Sequence, residues 1–159
     1  MLLTNIAVNS FSQALERIEW YCLRWQIEVY HKLIKSGCRV EDCLLETADR
    51  LKRYLALMCV IAWRLFWLTY LKRQHPDSSC TTFLTQAEWQ VLYCKINNTL
   101  SLPLNPPTVS QAVTWIAQLG GFLARKHDGE PGITVIWRGW QRLQSFVDIW
   151  LLFNPSTYG

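Results

Sequence analysis

The chain has 159 residues, 50% of them hydrophobic and 18% charged, with seven Gly and six Pro. This is one-domain size and ordinary globular composition, which excludes collagen-like, mucin-like and disordered classes and leaves a core that folds without disulfide or metal staples. The net charge of +4 is uneven: eleven Lys and Arg face seven acids up to Arg73, and five face five from Gln74 onward. A basic first half suits a polyanion or acidic lipid headgroups, and nine Trp, six Tyr and six Phe leave aromatic surface for a partner to cover.

In chain order, Leu2 to Ile6 is a short apolar run with the pattern of a strand, closing in Asn9-Ser10 as a turn and helix N-cap. A lone strand is not independently stable, so the chain is expected to begin inside a domain. Phe11 to about Ser36 reads as one helix capped by Gly37, and a second helix is predicted from about Asp42 to Arg73. Tyr54 to Leu71 has the length of a membrane span, flanked by Lys52, Arg53, Lys72 and Arg73. Arg64 near its centre would cost about 2.5 to 3.5 kcal/mol on insertion, and the symmetric basic flanks give no orientation. The expectation is therefore a central helix of a helical domain, buried on most sides, and no membrane partner.

After a loop, QHPDSSCTT, Thr85 opens a short helix to about Lys95 with Glu88 three residues on, the spacing of a capping box. INNTLSLPLNPPT holds three of the six prolines and is a loop; Thr108 or Ser110 then caps a helix ending near Gly120-Gly121. ARKHDGEPG is a further surface loop, and a last helix runs from about Ile133 to Phe153. Its residues Ile136, Trp140, Leu143, Val147 and Trp150 recur at 4-3-4-3 spacing, with Phe146, Ile149 and Phe153 as a second stripe. Together they are too wide for one neighbour, which makes this helix the candidate oligomer contact, with the first stripe as its contact residues.

The six Cys form no C-x-x-C pair, and MLLTNIAVNS is too short and uncharged for a signal peptide. They read as reduced, mostly buried thiols of a cytoplasmic protein. His31, Cys38 and Cys43 match no zinc-ligand spacing.

The polar face of the first helix carries the chemistry. Tyr21, Arg24, Glu28, Lys32 and Lys35 fall within a stripe about 80° wide on a helical wheel, with Leu23, Ile27, Tyr30 and Ile34 opposite. One carboxylate ringed by cations and a phenol suits a divalent metal beside phosphates; it equally suits a solvated face laced with i, i+4 pairs such as Glu28 and Lys32.

The run YCLRWQIEVYHKLIK places Tyr21, Arg24, Glu28 and Lys35 at Tyr-x2-Arg-x3-Glu-x6-Lys spacing. This resembles the signature of the family-four branch of bacterial insertion-sequence transposases, to which the Tn-five transposase belongs. LTQAEWQVL, WIAQLGGFLARK and IWRGWQRLQSFVDIW are similar to the all-helical C-terminal domain through which those enzymes dimerise. The resemblance implies a mainly α chain: residues 1–40 as the end of an RNase H-like core, one strand plus the signature helix, and residues 41–159 as an all-α dimerisation domain. It implies Glu28 as the third carboxylate, after two Asp, for two Mg²⁺ or Mn²⁺ ions that drive phosphodiester hydrolysis and strand transfer. Tyr21, Arg24 and Lys35 would hold transposon-end DNA, with Lys32 a further candidate. Both Asp positions fall upstream of Met1, so the chain is expected to be a C-terminal part of a DNA transposase, inactive and holding no stable metal by itself. Its implied partners are a second copy or a full-length transposase, in the bacterial cytoplasm at the nucleoid; the alternative role is a dominant-negative regulator.

Overall fold

The computed structural model describes residues 3–37 and 40–154. Six α-helices organise it: α1 (Phe11–Cys22), α2 (Arg24–Lys32), α3 (Ala48–Gln74), α4 (Gln86–Asn97), α5 (Val109–Leu119) and α6 (Ile133–Phe153). A π-turn at Leu33–Gly37 follows α2, and 3₁₀ turns stand at Val40–Asp42 and Cys80–Thr82.

No strand occurs among the described residues, which corrects the strand expected at Leu2 to Ile6; Leu3 to Ile6 are irregular, and Leu2 lies outside the described residues. An extended segment needs a neighbour to take its backbone groups, and the all-helical body offers none. The helix expected over 11–36 is divided at Leu23, whose N–H donates to Glu19 and Trp20 carbonyls. α1 buries no residue, so no packed seam holds it in line with α2. The second helix starts at Ala48 rather than Asp42 because Thr47 caps it, its hydroxyl accepting from Arg50 N–H at 3.4 Å, with Asp49 in the first turn favourably placed on the helix dipole.

The remaining helices match their caps. Thr85 and Glu88 form a reciprocal capping box on α4, and Thr108 and Gln111 form another on α5. The loop after α3 is tied to the start of α5 by backbone hydrogen bonds, Val109 N–H to Ser78 at 2.7 Å and Cys80 N–H to Pro107 at 2.9 Å.

α6 lies at the centre, packed on α5, α4, α3 and the π-turn. Leu33, Leu65, Leu68, Leu92, Val113, Ile116, Ile136 and Leu143 are almost fully buried in one core. The α5–α6 crossing is backbone on backbone: a Cβ at Gly139 would strike the Ile116 carbonyl, and one at Gly120 the Val135 carbonyl. Only glycine lets the two helices approach this far.

α3 is long and apolar enough to cross a membrane by length and composition. Only Ala62, Leu65, Leu68 and Leu71 are buried along it, as one stripe, which corrects the expectation of a helix buried on most sides. One layer of helices packs against it, and Val60, Trp63, Trp67 and Tyr70 on the other face remain exposed.

Candidate functional site

The polar stripe begins at Tyr21 near the end of α1 and continues through Arg24, Glu28 and Lys32 on α2 into Lys35 in the π-turn. Arg24 Nη1 donates to Glu28 Oε1 at 2.6 Å, and the Arg24 guanidinium stands 5.5 Å from the Tyr21 ring centroid. Glu28, then Tyr21, raise the Arg24 pKa above its ordinary value, so the guanidinium stays charged. Both side chains of the pair are more than half exposed, so it fixes geometry and adds little stability.

The structure thus joins Tyr21, Arg24 and Glu28 across the helix break. Glu28 reaches back to Arg24, not forward to Lys32 as the i, i+4 pattern suggests. Lys35 turns toward Glu41 of the 3₁₀ turn, with Nζ 3.5 Å from Oε1, while Lys32 stays exposed. On the opposite side Leu23 and Ile27 are more than half exposed, whereas Tyr30 and Ile34 pack on the core. Tyr30 Oη donates to the Cys59 carbonyl at 3.0 Å, fastening α2 to α3.

Two divalent ions require several carboxylates around them. Among the described residues no group of three or more His, Cys, Asp or Glu is placed to hold a metal ion, and Glu28 is already engaged by Arg24. Among the described residues the donor set does not fit a two-metal centre.

At the other end of the molecule the first stripe of α6 is not a free contact. Ile136, Trp140, Leu143 and Val147 are buried in the chain's own core, and Trp150 is half-buried against it. The 4-3-4-3 seam, expected to supply the dimer contacts, is the best-patterned apolar surface of the helix, and within this chain α3, α4 and α5 take it up. The second stripe leaves the free surface. Ile149, Leu152 and Phe153 are exposed by 54, 79 and 81%. Beside them is a groove of about 440 Å³ lined by Val91, Cys94, Leu100, Phe146 and Trp150.

Between the two ends stands a buried carboxylate that sequence patterning marks only as a helix cap. Glu88 is 5% exposed. It accepts from Thr85 N–H at 2.7 Å, from Gln144 Nε2 at 2.8 Å and from Arg64 Nη2 at 3.4 Å. Arg64 also lies over the Trp140 ring, 4.5 Å from its centroid. One acid therefore links α3, α4 and α6, and the Arg64 that argues against a membrane span is its counter-ion.

The family model for the transposase Tn5 dimerisation domain matches residues 60–152. The chain belongs to this family. The transposase dimerisation domain thus starts within α3 and ends one residue short of the α6 terminus, taking in the Glu88 junction, both crossing glycines and the exposed Ile149 and Leu152. The Tyr21 to Lys35 stripe lies outside the matched residues.

Proposed function

We propose that this chain is the C-terminal, dimer-forming part of a cut-and-paste DNA transposase, and that it pairs through the exposed end of α6. The family match supports dimerisation; the uncovered Ile149, Leu152 and Phe153, at the edge of an apolar groove, are the observation that carries the choice of surface. A patch of large apolar side chains at a helix end is the kind of surface that a two-fold partner buries. Sedimentation of the Ile149→Asp/Phe153→Asp variant tests it. The expected outcome is a monomer with unchanged helicity where the parent dimerises; an undiminished dimer would overturn the choice.

In the same reading Tyr21, Arg24, Lys32 and Lys35 contact the phosphates of transposon-end DNA, and Glu28 is the family's third metal-binding carboxylate. Phosphate contacts of this kind position the strand and weaken steeply with salt. Mg²⁺ or Mn²⁺ would supply nucleophile activation and leaving-group stabilisation in a complete enzyme. With Glu28 held by Arg24 and no group of three metal-ligating side chains among the described residues, this chain alone is inactive.

A second role follows from pairing dimer competence with an incomplete site: a dominant-negative partner of full-length transposase. A heterodimer would carry one site that cannot cut. Coexpression with an intact relative should lower excision severalfold, and the α6-end variant should restore it; undiminished excision would remove this role.

A further inference from the structure

The outward face of α6 carries two charges that its own chain leaves unmatched. Gln141, Arg142, Ser145, Asp148 and Ile149 fall within a stripe about 120° wide centred on Ser145, and all five are exposed. Among the described residues neither Arg142 nor Asp148 takes part in an ion pair. Arg142 donates to the Leu119 carbonyl at the end of α5, a neutral acceptor that steadies the guanidinium without matching its charge, and most of its five N–H donors are left over. Within one helix Arg142 and Asp148 stand six residues apart on opposite flanks of the stripe, beyond the three- and four-residue spacings at which helical side chains meet.

Two rows of side chains cross at Ser145. Arg142, Ser145 and Asp148 follow one another at a spacing of three; Gln141, Ser145, Ile149 and Phe153 do so at a spacing of four. The second row is continuous with the exposed apolar end of α6. Helices that pack along their four-residue rows cross at about 50°, the commonest class of helix packing. A two-fold axis running along that row past Ser145 turns the three-residue row over nearly end for end, so that Arg142 of each copy faces Asp148 of the other. Both pairs close at once because the same operator relates them, and the small Ser145 lets the two helices meet at the crossing. An unrelated acidic or basic partner would match one of the two charges and oppose the other; a second copy supplies both at the required separation.

We propose that Arg142 and Asp148 are the specificity pair of the dimer, closing reciprocally across a two-fold axis at Ser145. The inference rests on α6 being the dimer surface and adds what that surface selects. Exposed in one chain, the two charges contribute little to its stability. Across an interface an opposite charge is admitted and a like charge rejected, so this pair decides which transposases the chain can join.

The test is sedimentation of charge variants of the whole chain, singly and mixed. Arg142→Asp alone sets acid against acid, and Asp148→Arg alone sets cation against cation; each should raise the dimer Kd tenfold or more with unchanged circular dichroism. Mixing the two single variants should restore a dimer, because both contacts then join opposite charges. The double variant Arg142→Asp/Asp148→Arg should pair with itself and refuse a tagged parent chain. Loss of the Leu119 contact or of fold would not be rescued by mixing, so the mixture separates pairing from structure. Single variants that dimerise like the parent, a mixture that stays monomeric, or a double variant that joins the parent as readily as itself each overturn the proposal. If the charge variants dimerise normally while Ile149→Asp/Phe153→Asp is monomeric, the pair fails and the α6 contact stands. A parent that is monomeric throughout overturns both.

Discussion

At Gly139 the absent side chain is itself the interaction. Its Cβ position is filled by the Ile116 carbonyl, and Gly120 stands in the same relation to Val135. Gly139→Ala must push two packed backbones apart, so a loss of about 2 to 3 kcal/mol, or failure to fold, is expected in urea denaturation. Gly132 faces open space as the α6 N-cap, and Gly132→Ser should stay within about 0.5 kcal/mol. Cys80 makes a second residue-scale prediction. Burial raises its thiol from an ordinary 9.0 to about 11. In the unfolded chain the thiol ionises first, so stability should be level below pH 9 and fall as pH rises toward 11. Cys80→Ala should remove most of that decline in pH-dependent melting, leaving a smaller part to Cys94, which burial shifts the same way. Glu88 shows the limit of sequence at this scale. Its spacing from Thr85 reveals the cap, but nothing local to α4 says that Arg64 and Gln144 converge on the same carboxylate.

Among the elements, α4 and α5 were legible to within a residue or two from their side-chain caps, Thr85 and Thr108, and α6 from the periodic run Ile133 to Phe153. Capping is a short-range interaction, so its signal lies in neighbouring letters. Legibility failed where tertiary packing decides. The break at Leu23 depends on which faces find a neighbour, and the strand pattern at Leu2 to Ile6 has no sheet to join among the described residues. The contrast between α1 and α5 gives a measurable outcome. α1 buries nothing, while α5 buries Val109, Ala112, Val113, Ile116 and Ala117. Amide hydrogen exchange should be fast throughout α1 and slowest in α5 and the facing half of α6.

For the whole molecule, the sequence pattern marked two surfaces, the Tyr21 to Lys35 stripe and the α6 helix. The spacing of Tyr21, Arg24 and Glu28 held across an unforeseen helix break, because residues three and four apart still meet when the chain re-enters helix at Arg24. The α6 stripes were both visible, yet periodicity alone does not say which stripe faces inward; the core claimed the longer one and left Ile149 and Phe153 outside. Between these ends the α5–α6 crossing also constrains how the gene can drift. The obstacle to a larger residue at position 139 is the main-chain carbonyl of Ile116, which every amino acid carries. No compensating change of the residue at 116 can therefore relieve it, and a suppressor screen begun from Gly139→Ala should return true revertants or changes that stabilise the fold elsewhere, never a smaller neighbour.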